Sequence, residues 1–556
     1  MADDHDSDPT VDIIRARKIA RYKQLVDLKL KRGRLMDSSI GIGASHLQIL
    51  IPVIMIASAL LVPLISRGNP RYRLPLVLLV TAAAFLGSVD ILGKVILSPT
   101  GYLEYMAGYQ WGGKSLLQTG QPIGIVLRTD LLGAILLLLI NGIGFLVSLY
   151  SCSSAHHEVP EGKQTYYYTL LLLMLAGMSG IAIAGDCFNF YVFFEIASIS
   201  SYTLVSISGR PESLEATFKY ILTGALSSIL IVFGIGLLFN ATGTLNMYYA
   251  SQQIAKIVSS HPESALFPYR YLIYASLGLF IMGFSIKAAF FPSHAWLADA
   301  HPAAPSSISA LLSGLVVKTT GIFLLIRFLF TVFGIHKGYL GEVFSVLFLI
   351  ISIITIISGS LFAIVQTQLK RMLAYSTIAQ MGYILFGVAL ITPYGLAGSI
   401  LHIVNHAIVK SLMFLCAGII LHKTGIRDIT DMGRLGYRMP ATMACFTIGA
   451  CSLVGVPPLC GFMSKWVLAT SAIQAGMPYL VIILLISSLL NAVYYFRVVA
   501  ISYFGNPKIE IDTVDEAPKT MLVPVCILAV LVIILGVLVK YPYHAAALPA
   551  ARLLLR

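Results

Sequence analysis

Five lysines, one glutamate and two histidines are the candidates for chemistry among the ionisable groups that stand inside the apolar stretches of this chain. Lys287 lies in the run 271–291 and Lys318 near the middle of the run 306–328, and each run is long enough to cross a bilayer. An ammonium in hydrocarbon costs from roughly 3 to over 10 kcal/mol, so such residues normally face a bundle interior and serve transport. Pro292, five residues after Lys287, has no backbone N–H to donate and predicts a break in that helix at membrane depth. Freed carbonyls are tolerated there only when they are buried in protein or line a wet cavity. A lysine beside such a break can hold an ion, or take up a proton and release it.

The other charged positions extend the pattern. Glu195, in GDCFNFYVFFEIASISSYTLVSISG, falls in mid-run and must either meet a cation or carry a proton. Lysine is the natural partner. Lys219, in EATFKYILTGALSS, lies within a turn or two of one membrane face, where snorkelling to the interface explains it as well as transport does. His402, His406 and Lys410 follow one another at i, i+4 and i+8, so they share one stripe of one helix. Histidines at i and i+4 also occur in metal sites. HEXXH is absent, however, and no carboxylate lies near in sequence, so a proton relay is the favoured reading. Gly455, Pro457, Pro458 and Gly461 break the next apolar run, which then presents Lys465. A proline-broken helix with a lysine in each half is the sequence signature of inverted repeats around a midplane path. Asp90 and Lys94, four apart, read as a local ion pair.

The elements that must position these groups follow from composition. With 57% hydrophobic and 11% charged residues among 556, the chain is predicted to be an all-α polytopic membrane protein. Continuous apolar runs of about twenty residues exclude a β-barrel. About 14 transmembrane helices are expected, near 47–66, 74–97, 127–150, 166–184, 186–208, 214–240, 270–291, 303–330, 343–365, 373–391, 395–422, 441–468, 477–504 and 521–540. They divide into a polar basic tail (1–45), three leading helices (46–165), two five-helix repeats (166–330 and 343–504), and a loop with a final helix and tail (505–556). The tail follows an acidic start with a basic amphipathic stretch. It reads as a surface or partner-docking helix, as a disordered extension, or as residues ahead of a true start at Met36. No apolar signal-peptide core follows its charges. Basic loop residues cluster after odd-numbered spans, which places both termini outside the cytoplasm by the positive-inside rule. The seven cysteines form no CxxC pair and read as small buried hydrophobes. The formal charge of +13 is spread over loops and tail, a membrane-orientation pattern and not a nucleic-acid surface.

Glu195 in FFEIASISSY, Lys287 in IKAAFFPSHAWLADAHPAAPSSISALL, Lys318 in VVKTTGIFLLIR, LKRMLAYSTIAQMGY, His402/His406/Lys410 and GVPPLCGFMSK occur in an order that resembles the antiporter-like family. That family comprises membrane subunits of respiratory complex I, Mrp-type cation/proton antiporters and membrane-bound hydrogenases. The resemblance covers about residues 120–505, and GRPESLEATFKY and TGTLNM look closest to the Mrp D and hydrogenase members. It implies that Glu195 pairs with Lys287, that Lys318 is the central proton carrier, that His402 and His406 continue the wire, and that Lys465 is the carrier of the second half. When the Glu195–Lys287 pair opens, the unpaired ammonium would repel the proton held by Lys318 and favour its release onward.

There is no Walker A loop, nucleotide fingerprint or nucleophile constellation in the sequence. The reading is therefore a proton-translocating subunit without a catalytic centre or cofactor of its own, in a multi-pass location in the cell (inner) membrane. The resemblance implies other membrane subunits as partners, protons as the transported ion with Na+ as a second ion in antiporters, and a peripheral hydrogenase or redox arm in redox-linked members. The alternative is a subunit of an NADH- or ferredoxin:quinone oxidoreductase.

Overall fold

The computed structural model describes residues 46–98, 101–107, 124–336, 338–506 and 514–555. The basic tail expected at 1–45 lies outside the described residues. In chain order the elements are α1 (His46–Gly68), α2 (Arg73–Leu97), β1 (Tyr102–Ala107), β2 (Ile125–Asp130), α3 (Leu131–Glu158), α4 (Gln164–Ile183), α5 (Cys187–Ser206), α6 (Pro211–Thr242) and α7 (Met247–Val258). There follow α8 (Tyr269–Lys287), α9 (Ala295–Ala303), α10 (Ser306–Val332), α11 (Tyr339–Val365), α12 (Leu369–Ala389), α13 (Pro393–Thr424), α14 (Pro440–Val454), α15 (Cys460–Gln474), α16 (Leu480–Phe504), α17 (Lys519–Val537) and α18 (Leu548–Leu554).

Twelve helices among the described residues are long and apolar enough to cross a membrane. They match twelve of the expected spans. The other two are α5, whose polar side chains dilute its apolar character, and the α14/α15 pair, which is split by the expected break. The protein is an all-α polytopic membrane protein with one small addition. Residues 127–130, expected to open the third span, instead belong to β2, which pairs antiparallel with β1. Asp130 then caps α3 by accepting from the Gly133 N–H at 2.9 Å.

Lipid tails are as apolar as leucine, so burial of apolar surface does not separate inner from outer helices. Close packing and hydrogen bonding do. The apolar stretches of α10, α12 and α13 are each 94% buried, against 33% for those of α1, α2, α6 and α16. Outer helices present large side chains such as Leu79 and Leu489 at the surface, as a lipid-facing ring requires. The inner ones are rich in Ser, Thr, Gly and Ala. At Gly321 in α10 an added Cβ would come within 2.6 Å of the Ala288 backbone, so the bare backbone lets α10 pass directly against the break that follows Lys287. The order helix, helix, long helix, broken helix, helix occurs twice, as α4, α5, α6, α8/α9, α10 and as α11, α12, α13, α14/α15, α16.

Candidate functional site

The two breaks lie where the prolines predicted, and their freed carbonyls are used. Helix α8 ends at Lys287, ahead of Pro292. The Ile286 carbonyl accepts from Trp296 Nε1 at 3.0 Å, and the Phe291 N–H donates to Thr355 Oγ1 at 3.1 Å, which ties the first break to α11 in the second half. In the second half α14 stops at Val454, and Gly455 takes the left-handed conformation with φ 101°. Pro457 and Pro458 lie in the gap before α15. Lys465 reaches back across that gap, donating to the carbonyls of Leu453 (2.8 Å) and Val454 (3.2 Å) and to Ser488 Oγ (3.1 Å). A cation thus sits on the negative end of the broken helix dipole.

Each buried lysine is held by neutral groups. Lys287 Nζ donates to Ser198 Oγ (2.8 Å) and Tyr202 Oη (2.6 Å) and lies 4.8 Å from the Phe194 ring centroid. Ser198 and Tyr202 follow Glu195 by three and seven residues on α5, so the carboxylate and the lysine's two partners share a stripe. The direct Glu195–Lys287 ion pair is not formed, because Lys287 is committed to the hydroxyls, and Glu195 Oε1 is buried with no hydrogen-bond partner. Lys318, fully buried, donates to the Ser313 carbonyl at 2.5 Å from a π-helical stretch of α10. Lys410 Nζ donates to the Leu373 carbonyl (2.9 Å), Ser376 Oγ (2.6 Å) and Tyr495 Oη (3.0 Å).

Hydroxyl and amide groups join the surroundings of Lys318, Lys410 and Lys465. Ser313 Oγ and Thr377 Oγ1 are 2.6 Å apart, and Thr377 Oγ1 donates to the same Leu373 carbonyl that holds Lys410, which links the surroundings of Lys318 and Lys410. Beyond Lys410, Tyr495 bonds to Ser376 and Tyr494. Tyr494 Oη donates to Asn491 Oδ1 at 2.5 Å, and Asn491 Nδ2 donates to the Leu453 carbonyl that also holds Lys465. A second line runs beside it. His406 stacks on His402 with centroids 6.0 Å apart, His402 bonds to Gln380 Oε1 (3.1 Å) and Ser464 Oγ (2.9 Å), and Ser464 precedes Lys465.

Lys219 does not join this row. It is exposed and pairs with Glu215 (2.8 Å) and Asp299 (3.1 Å), and Asp299 also meets Arg371 (3.2 Å), so it belongs to a surface ion cluster, in keeping with the interfacial reading. Asp90 and Lys94 form the local pair expected, at 2.5 Å. Lys287 and Lys318 share no hydrogen-bond partner among the described residues, and Gly321, three residues after Lys318, packs on Ala288, the residue after Lys287. Sequence reasoning missed Ser198, Tyr202, Thr377, Gln380 and Tyr495, which are ordinary core residues until the helices are assembled. It also missed Arg327, a buried cation of α10 that forms a two-bond ion pair with Asp130. Burial opposes ionisation of Asp130, but the Arg327 guanidinium outweighs it and holds the carboxyl below its ordinary value.

A family described as NADH:quinone oxidoreductase/Mrp antiporter, TM, matches residues 184–491, more than half of the chain and the part that holds the buried lysines. The chain belongs to that family. It is 32% identical over 504 residues to the N subunit of NADH-quinone oxidoreductase from Desulforudis audaxviator, covering 88% of this chain and 96% of the relative. It is also 32% identical over 415 residues to the D-type component of the Na(+)/H(+) antiporter of Bacillus subtilis, covering 75% and 80%. Identity therefore sides with neither branch. Among solved structures, the membrane-bound sulfane sulfur reductase, an archaeal respiratory membrane complex, contains a chain that superposes with a TM-score of 0.79 at 29% identity, covering 91% of this chain and 97% of that one. A chain of the Mrp complex from Dietzia sp. shares the fold at the same TM-score. Both neighbours are subunits of multi-subunit membrane complexes, and other membrane subunits are accordingly partners of an antiporter-like protein of this kind.

Proposed function

We propose that this subunit moves protons along the buried row from Glu195 and Lys287, through Lys318 and Lys410 with His406 and His402 alongside, to Lys465. The observation that carries the reading is the set of four lysines sunk in the bundle and held only by hydroxyls and carbonyls. A fixed carboxylate partner would lock a proton onto a lysine, whereas a neutral host lets the amine hold it or give it up. Hydroxyl side chains between them can accept and donate in turn. The twice-repeated element order supports two repeats, 166–330 and 343–504. Five crossings each would set them in opposite orientations about the midplane. The chain would work in the cell membrane with both termini outside the cytoplasm, in an Mrp-type antiporter or membrane-bound hydrogenase-like complex. Energy would come from an ion gradient or from a redox arm on partner subunits.

Equal identity to an oxidoreductase relative and an antiporter relative keeps a second assembly in view, the proton-pumping part of an NADH- or ferredoxin:quinone oxidoreductase. Co-purification of a quinone-site subunit would select it, and short cation-antiporter subunits would select the first. The proton role is tested by Lys318→Ala in the purified complex reconstituted into liposomes with a trapped pH-sensitive dye. Loss of proton flux in a fully assembled complex is expected. Flux at the wild-type rate would overturn the assignment.

A further inference from the structure

All seven cysteines are free thiols, and in one case among the described residues two of their sulfurs meet. Cys445 on α14 and Cys526 on α17, 81 positions apart, place their Sγ atoms 4.0 Å from each other. A third thiol stands beside them, since the groups whose charge acts on Cys416 of α13 are Cys445, Cys526 and Glu516. Three helices thus bring three sulfurs to one spot. Packing as a small apolar side chain accounts for a single buried cysteine, but it does not call for sulfur on both sides of a contact.

The place suits a redox couple. Glu516 caps α14, accepting from the Ala441 N–H at 2.9 Å and from Thr442 Oγ1 at 2.5 Å. Cys445 is three residues beyond Thr442, so the pair lies about one turn, roughly 5 Å, inside that end of the helix. Cys526 is partly exposed and Cys445 is buried, which gives an outer thiol for an oxidant to meet and an inner one to resolve it. Arg434, Arg438 and Lys519 flank the same end, which the positive-inside rule assigns to the cytoplasm. Thiols there are kept reduced until an oxidant arrives. The sulfurs of a disulfide are about 2.05 Å apart, so the two must close by about 2 Å, which rotation about χ1 can supply.

Joining them bears on the second broken helix. Leu453 and Val454, whose carbonyls hold Lys465, end the helix on which Cys445 stands. Helix α17 lies directly against the break, because an added Cβ at Gly536 would come within 2.1 Å of the Pro458 carbonyl oxygen. It also packs on α13 and α15. A covalent tie between Cys445 and Cys526 therefore fixes α14 to the helix that backs the break.

We propose that Cys445 and Cys526 are a peroxide-sensitive dithiol whose disulfide pins α14 to α17 and slows transport. The Cys526 sulfur attacks one oxygen of a hydroperoxide, the O–O bond breaks, and a sulfenic acid forms as the other oxygen leaves with the thiol proton as an alcohol or water. The Cys445 sulfur then attacks the sulfenic sulfur, the S–S bond forms, and the hydroxyl leaves with the Cys445 proton as water. Two thiols lose two electrons and two protons, and the peroxide takes up both. The effect on transport rests on the proton-transport reading above, whereas formation of the disulfide does not.

Hydrogen peroxide is the probe. The complex in liposomes is treated with it, free thiols are capped with N-ethylmaleimide, and digested peptides are analysed by mass spectrometry, with proton flux measured before and after dithiothreitol. The expected result is a pair of peptides joined through Cys445 and Cys526, with loss of most of the flux and its recovery in dithiothreitol. Cys445→Ala and Cys526→Ala should transport like untreated wild type and keep their flux in peroxide, and either one suffices if the other does not assemble. No joined peptide, a link from Cys416 instead, or a disulfide that leaves flux unchanged overturns the proposal. So does an equal loss of flux in the cysteine variants, which places the damaging oxidation elsewhere. Untreated Lys318→Ala separates the two readings. If it transports like wild type the proton role is lost, while the presence or absence of the joined peptide still decides whether the dithiol exists.

Discussion

Replacing Tyr202 by phenylalanine isolates how Lys287 is held. The ring stays, and with it the contact that places the ammonium 4.9 Å from the Tyr202 centroid. Only the hydroxyl, 2.6 Å from Nζ, is removed. That hydroxyl occupies space left open by Gly224, where an added Cβ would come within 2.0 Å of it, so its loss makes a small void without moving a helix. A hydrogen bond to a charged donor contributes about 1.5–3 kcal/mol. Since each 1.4 kcal/mol is a factor of ten, the protonated lysine should become roughly 10–100 times harder to populate. Proton flux through the reconstituted complex should fall by about tenfold or more if each cycle passes through protonated Lys287. Adding Ser198→Ala removes the other hydroxyl, at 2.8 Å, and should lower flux further, because no side-chain hydrogen bond then remains to the ammonium. Flux equal to wild type in the assembled double variant would refute the idea that these hydroxyls support a working lysine.

Two other outcomes follow from the geometry. Thr377→Val keeps side-chain shape but deletes the hydroxyl that joins Ser313 to the Leu373 carbonyl. Flux should drop by about tenfold while the complex assembles normally, because a methyl cannot relay a proton, and an unchanged rate would mean that this bridge is structural only. Asp130→Asn breaks the pair with Arg327, and removing one partner of a buried pair costs about 3–5 kcal/mol. Because the folded carboxyl is held below its ordinary value, the ionised pair stabilises the fold above the unfolded pKa of about 4, and that contribution is lost as pH falls through the folded value. Thermal unfolding in detergent should find the variant less stable at neutral pH and should find the two proteins converging in acid. A constant difference across that range would argue against the pair.

How much of this was legible beforehand depended on whether the signal was local. Pro292 and the Gly455–Pro458 segment announced their breaks because lost donors and left-handed backbone are properties of single residues. Lysines in apolar runs announced burial because the cost of stranding a charge in lipid is independent of fold. The partners of those lysines were not legible. Tyr495 and Ser376 lie 119 positions apart, and each is an ordinary membrane-helix residue until α12, α13 and α16 are packed together. Residues 127–130 read as the start of a helix because a short apolar run bounded by turns reads alike as a strand or as the start of a helix. Charge gave Glu195 a lysine as partner and the family resemblance named Lys287, but neither signal showed that the hydroxyls three and seven residues along the same helix would take that lysine.

That substitution of hydroxyls for a carboxylate gives Glu195 a different task. Oε1 is buried and unbonded, and the side chain hydrogen-bonded to the carboxylate is Tyr191, not a cation, so Glu195 can act on Lys287 through its field. At an effective dielectric of about 20, unit charges about 10 Å apart interact by roughly 1.7 kcal/mol. That is enough to change the protonated population of a lysine by more than tenfold, and too little to trap it. Such a carboxylate biases the row through its charge, without an ion pair having to form or break. Glu195→Gln keeps the shape and removes the charge, so it should slow proton flux by about tenfold. The loss should be insensitive to salt, because a buried interaction is poorly screened. If Glu195→Gln transports like wild type while Lys287→Ala is inactive, the lysine works without the carboxylate, and the start of the row must be moved from Glu195 to Lys287.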